Sequence, residues 1–129
     1  NITTNVRWHR DQKYYDSASW RGTWEFDGGV INNQAIHHID AYVWIAGLPE
    51  KIYTINKRLI HDMQCEDTSV SIMQHKNGLT GIFNATTTTP FDDLEASIEI
   101  HGSDGYVKVG GIALNRIDFV RTKNKSQKI

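Results

Sequence analysis

A single cysteine, Cys65, stands among 129 residues, which excludes an internal disulfide framework and accords with a reducing compartment. No apolar run approaches the roughly 20 residues that span a bilayer, and no signal-peptide pattern opens the chain, so a soluble, cytoplasmic protein is expected. Excess charge is missing too. Fourteen Lys and Arg against 15 Asp and Glu give a net charge of -1, with a pI near 6.6. That leaves no electrostatic footprint for nucleic acid or an acidic membrane as partner. No G-x-G-x-x-G follows a strand, so the chain carries no Rossmann cofactor site of its own. No Ser/His/Asp or Cys/His triad pattern emerges, and Cys65 has no evident activating base.

What the chain does have is a segment with two faces. Asp27 to Trp44 reads DGGVINNQAIHHIDAYVW: a glycine-led start, then a helix predicted over about Gly28 to Ala46, ended by Gly47 with Pro49 beyond. At about 100° per residue, Asn33, His37, Asp40 and Trp44 share an arc of roughly 60°. Ala35, Ile36, Ile39, Tyr42, Val43 and Ala46 gather on another arc, roughly 140° away. The second face belongs in a core. The first lines up an amide, an imidazole, a carboxylate and an indole, which packing alone does not require.

The remainder reads as strand and turn. Ile2 to Trp8 and Lys51 to Ile60 are β-like, and Thr68 to His75 and Leu79 to Thr88 flank Lys76-Asn77-Gly78, a strong hairpin signal. Leu94 to His101 alternates, Gly102 to Gly105 turns it into Tyr106 to Val109, and a last strand falls near Leu114 to Arg121. Tyr14 to Phe26 is aromatic-rich and irregular, and Lys123 to Ile129 reads as a solvated basic tail. One long helix against about six strands, mostly joined as hairpins, predicts a single α+β domain over 1–129. Its open, mostly antiparallel or mixed sheet carries the helix on one face. The other face, given mixed polarity by Ser69, Ser71 and Thr86 to Thr89, suits a subunit interface or a second domain. The opening of the chain directly in a strand suggests a piece of a longer protein.

His37 is the leading catalytic candidate. A neutral imidazole can take a proton from a substrate hydroxyl, and histidine is the side chain that readily changes charge near neutrality. Asn33 could hold a substrate oxygen, and Asp40 could orient the ring or a hydroxyl. His38 lies roughly 100° round the helix and reads as structural or supporting. Adjacent histidines do not share a helix face, and His61 with Cys65 lacks a second ligand pair, so no metal site is expected. Arg21, between Trp20 and Trp24, is the best anion clamp, since a guanidinium meets a carboxylate or phosphate through two parallel hydrogen bonds. Tyr15, with Tyr14, could add hydroxyl contacts, although aromatic residues here could equally fill the seam between helix and sheet. Gly28-Gly29 would allow a substrate or cofactor to approach the backbone at a helix start.

Taken together these residues resemble the C-terminal domain of the glucose–fructose oxidoreductase, inositol dehydrogenase and rhizopine-catabolism oxidoreductases, the Gfo/Idh/MocA family. The carriers are Trp20-Arg21-Gly22-Thr23-Trp24, Gly28-Gly29 followed by His37-His38-Ile39-Asp40, Glu66-Asp67-Thr68, and Ile100-His101-Gly102-Ser103-Asp104-Gly105. The resemblance implies a two-domain protein, with NAD or NADP bound mainly by an N-terminal Rossmann domain that this chain lacks. It implies that His37 is the general acid/base for hydride transfer at a sugar hydroxyl carbon, and that the open sheet makes a homo-oligomer such as a dimer. The fragment alone is expected to be inactive. Many members carry an aspartate where this chain has Asn33. The Tyr14-Tyr15, Trp20–Trp24 and Asn33–Asp40 segments look more like members acting on nucleotide-linked sugars, where a UDP-linked N-acetylated uronic acid is a substrate and Arg21 could face its carboxylate or diphosphate. The alternative is a non-catalytic binding or scaffold module of the same fold, acting through its sheet.

Overall fold

A computed structural model describes residues 1–123 of the chain; the basic tail expected from Lys123 onward lies, from residue 124, outside the described residues. The elements run β1 (Ile2–Arg7), α1 (Gln12–Asp16), α2 (Gly29–Asn32), α3 (Ile36–Ala46), β2 (Lys51–Lys57), β3 (Thr68–Gln74), β4 (Thr80–Thr86), β5 (Glu95–His101), β6 (Gly105–Gly110) and β7 (Arg116–Thr122). All seven strands join one open sheet in the order β2-β3-β4-β1-β5-β6-β7. This is the expected α+β arrangement, and each of the seven strands falls on a segment that the sequence marks as β-like.

β1 sits at the centre. It pairs parallel to β4, with Ile2 opposite Gly81, and antiparallel to β5, with Ile2 opposite Ile100. The other neighbours are antiparallel hairpin partners. At the β3–β4 turn Gly78 takes a φ of 85° while Asn77 Oδ1 accepts the Leu79 amide at 3.0 Å. These are the jobs for which asparagine and glycine are suited.

Ile2, Val6, Phe83, Ala85 and Ile98 on one sheet face pack with Val30, Ala35 and Tyr42 from the helices. Ile2, Val6, Phe83 and Ile98 are almost wholly buried, and each such side chain stabilises the fold by about 1.5–3 kcal/mol. Where α3 crosses the sheet, Gly81 leaves room for Tyr42, whose hydroxyl bonds His75 Nε2 at 2.8 Å.

Two expectations need correction. The helix predicted over Gly28 to Ala46 is two helices. Gly28, with a φ of 72°, caps a first short helix that starts at Gly29, whose φ is 77°. It then breaks at 33–35, where the Ala35 amide reaches back five residues to the Val30 carbonyl at 2.8 Å, a π-type step that inserts an extra residue into the turn. A uniform 100° projection from Asn33 through Trp44 therefore does not describe the chain. In α3 the buried places go to His38 and Tyr42, and Ile36 is 41% exposed.

The second correction concerns the free sheet face. Ser69 and Ser71 point inward and are buried, bonded to Asn56 Oδ1 and Thr54 Oγ1 at 2.7 and 2.8 Å. Thr87 is buried as well. The outward face is mixed as expected, but mostly with other residues: Tyr53, Ile55, Val70, Ile72 and Ile82 are exposed there beside Thr68, Gln74, Asn84 and Thr86.

Candidate functional site

The short helix α1 starts at Asp11, whose carboxylate accepts the Tyr14 amide at 2.9 Å as an N-cap. It sends Tyr14 and Tyr15 in different directions. Tyr15 is 4% exposed, its hydroxyl bonded to Thr87 Oγ1 at 2.8 Å and its ring 4.7 Å from that of His61. Burial pushes its phenol up to about 12, with the Thr87 bond acting the other way. Tyr15 therefore belongs to the small core it shares with Met63 and Cys65, which encloses the hydroxyl expected to meet a substrate.

Tyr14 lies among cations. The Arg21 guanidinium sits 4.0 Å from its ring centroid and 4.6 Å from that of Trp20. The Arg10 guanidinium sits 5.4 Å from Tyr14 and 5.3 Å from Trp8. Arg10 is neutralised by Asp93 at 3.1 Å. Arg21 has aromatic neighbours instead, and its Nε is buried without a hydrogen bond, so its outer nitrogens remain to meet an anion. Trp24, the other expected flank, is 63% exposed.

His37 and Asp40 are exposed on α3, and Trp44 is 86% exposed. His38, the next residue, is buried edge-on against Trp8 at 5.6 Å. Burial first, and the neighbouring His37 second, lower its affinity for a proton. One histidine thus packs while the other stands open. Gln34, buried at the helix break, donates from Nε2 to the Tyr14 hydroxyl at 3.3 Å. It links the α1 side of the site to the start of α3.

Asn33 is half-buried, and its side-chain amide donates to the carboxylate of Asp27. Asp27 also accepts the amide of Gly22 at 2.7 Å, beside Arg21. Glu66 accepts the Ile31 amide at 3.3 Å, and its carboxylate occupies the space where a Cβ on Gly29 would fall. Gly29 accommodates that close approach. Asp67 accepts the amides of Leu59, Ile60 and His61 at 2.9–3.2 Å and pairs with His61 Nδ1 at 3.0 Å. Burial opposes its charge, but these donors outweigh it and lower its pKa. Glu66 and Asp67 are thus structural, holding α2 and the 58–61 loop.

Cys65 is buried, and burial pushes its thiol up. Among the described residues no three His, Cys, Asp or Glu gather as a metal would need. The structure brings Arg21, Tyr14 and Gln34 together and ties Asn33 to the Arg21 loop through Asp27. Tyr14 and Asp27 are the residues that sequence reasoning under-weighted. The Asp11 cap could have separated Tyr14 from Tyr15, whereas nothing local marked Asp27 as buried.

Residues 1–108 match the family model described as the GFO/IDH/MocA C-terminal domain. A comparison with curated proteins returned no match. Among solved structures, the WlbA dehydrogenase from Bordetella pertussis in complex with NADH and UDP-GlcNAcA is 43% identical over 95% of this chain, with a TM-score of 0.91. The WlbA dehydrogenase from Chromobacterium violaceum, also with NADH and UDP-GlcNAcA, is 41% identical over 95% of the chain, with a TM-score of 0.90. The chain spans 35% of the length of each. A levoglucosan dehydrogenase in complex with NADH, 16% identical over 97% of this chain and 36% of its own, shares the fold with a TM-score of 0.82.

Proposed function

The chain belongs to the GFO/IDH/MocA C-terminal domain family, and from that premise we propose that it is the substrate-binding and oligomerisation domain of an NAD(P)-dependent oxidoreductase acting on a nucleotide sugar. The substrate class is a UDP-linked N-acetylated uronic acid, the kind of ligand held by the two relatives at 41–43% identity. NAD or NADP, bound mainly by a Rossmann domain outside this chain, supplies the hydride acceptor. What this chain offers fits that partner: an open imidazole on the exposed side of α3, and a guanidinium walled by aromatic rings.

His37 takes the proton from the sugar hydroxyl as the carbon loses hydride, so the alcohol becomes a ketone and the ring becomes an imidazolium. In reverse it returns the proton. Asp40, exposed about one turn further along α3, orients the ring or a neighbouring hydroxyl. Asn33 holds a substrate oxygen or N–H. Arg21 meets the uronate carboxylate or the diphosphate with its outer nitrogens, and Tyr14 replaces Tyr15 as the hydroxyl beside it. The exposed outer sheet face, Tyr53, Ile55, Val70, Ile72 and Ile82, joins copies of the whole protein.

The observation that carries the catalytic assignment is the contrast on α3, where His38 is buried and His37 is not. The test is His37→Ala in the full-length oxidoreductase with UDP-GlcNAcA and NAD. It lowers kcat by about 10² or more, the scale of lost general acid–base catalysis. A turnover little different from wild type refutes the role.

A further inference from the structure

We propose that Asp27 is a positioning residue that locks Asn33 as a hydrogen-bond acceptor, a role that rests on the reading of Asn33 as a substrate contact. Asp27 is only 6% exposed, and both of its oxygens are engaged. Oδ2 accepts the Gly22 amide at 2.7 Å, and Oδ1 accepts Asn33 Nδ2. A carboxylate accepts and does not donate. The NH2 end of Asn33 must therefore face Asp27, and Oδ1 is the end left for a ligand. A freely rotating asparagine presents either end to a ligand; this one presents its carbonyl oxygen, the acceptor that selects a hydroxyl or an N–H.

The same carboxylate reaches the other side of the site. Gly22 follows Arg21, and the loop is closed on itself by the amides of Asp27 and Gly28, which donate to the Thr23 carbonyl at 3.1 and 2.9 Å. One buried side chain thus sets the polarity of Asn33 and fixes the loop that carries the guanidinium.

Two variants of the full-length oxidoreductase separate this role from simple loop support. In Asp27→Asn, the new amide can still accept from Gly22 but offers NH2 to Asn33. Asn33 must then flip and present a donor outward. The swap Asp27→Asn/Asn33→Asp restores the bond with reversed polarity and again presents an acceptor. With UDP-GlcNAcA and NAD, kcat/KM falls about tenfold or more in the single variant, the cost of leaving a polar group mismatched. The swap returns it to within about threefold of wild type, the two changes being strongly coupled. A single variant that loses thermal stability but keeps kcat/KM, or a swap no better than the single, overturns the proposal.

A second readout needs no turnover. In protein labelled with ¹⁵N-asparagine, the side-chain resonance that vanishes in Asn33→Asp moves on Asp27→Asn. If it moves while the wild type fails to turn over UDP-GlcNAcA, the lock stands and the proposed substrate falls. If it stays put, the lock falls whatever the activity.

Discussion

At Glu95 three donors converge: Ser97 Oγ at 2.6 Å, Lys108 Nζ at 3.2 Å and the Arg7 guanidinium. Burial raises its pKa, but the bonds from Ser97, Arg7 and Lys108 prevail and bring it from 4.5 to about 2. The folded value lies below the unfolded one, so this stabilisation is present above pH 4.5 and is lost as pH falls toward 2. The unfolding midpoint in urea, followed across that window, should fall less steeply for Glu95→Gln than for wild type. Parallel curves would contradict the assignment. Single residues were also where sequence reading fared least evenly. The exposure of His37 was legible because an imidazole on the polar arc has no packing reason to be there. The burial of Tyr15 was not legible because adjacent residues of one type carry no sign of which is enclosed. Asp27 was missed because its importance lies in two bonds made to residues five and six positions away across a turn.

Among the elements, Tyr42 of α3 lies hard against Gly81 of β4. A Cβ on Gly81 would fall 1.9 Å from the Tyr42 hydroxyl and 2.7 Å from its ring. Gly81→Ala therefore displaces Tyr42, breaks its bond to His75, and lowers stability by about 1–3 kcal/mol, the usual cost of overfilling a packed core. Adding Tyr42→Phe removes the nearest atom, so chemical denaturation of the double variant should show part of that loss recovered. Full additivity would place the strain elsewhere. The strands were readable from alternation and turn residues, and the Asn77-Gly78 hairpin falls where its chemistry requires. The helix break was not readable. Apolar spacing continues through 33–35 under a 3.6-residue period, and the extra residue shows only in the Ala35 to Val30 bond. α1 was hidden for a simpler reason: five residues are too few for a periodic signal.

For the molecule as a whole, the outer sheet face is the surface proposed above to join copies. Ile72 lies in register with Tyr53 on one side and Ile82 on the other, and all three are exposed. Light scattering should find the full-length protein oligomeric, and Ile72→Lys should release smaller species while its circular dichroism is kept. An unchanged mass would remove this face from the interface. Which of its residues lie outward was not legible, because alternation in Thr68 to Gln74 gives the period of β3 and not which side is covered. The serines turned inward and the valine and isoleucine outward. The parallel pairing of β1 with β4 was equally beyond local pattern, since it joins residue 2 to residue 81. That pairing has a consequence for biosynthesis. β1 is the one strand that bridges the β2–β4 and β5–β7 meanders, yet on the ribosome it emerges before either. At about 5–20 residues per second it waits about 4–16 s for β4, and longer for β5. Throughout that interval both of its edges are open to pairing with other chains. The yield of native protein is then governed by how well residues 2–7 are shielded during translation, more than by the strength of the finished sheet.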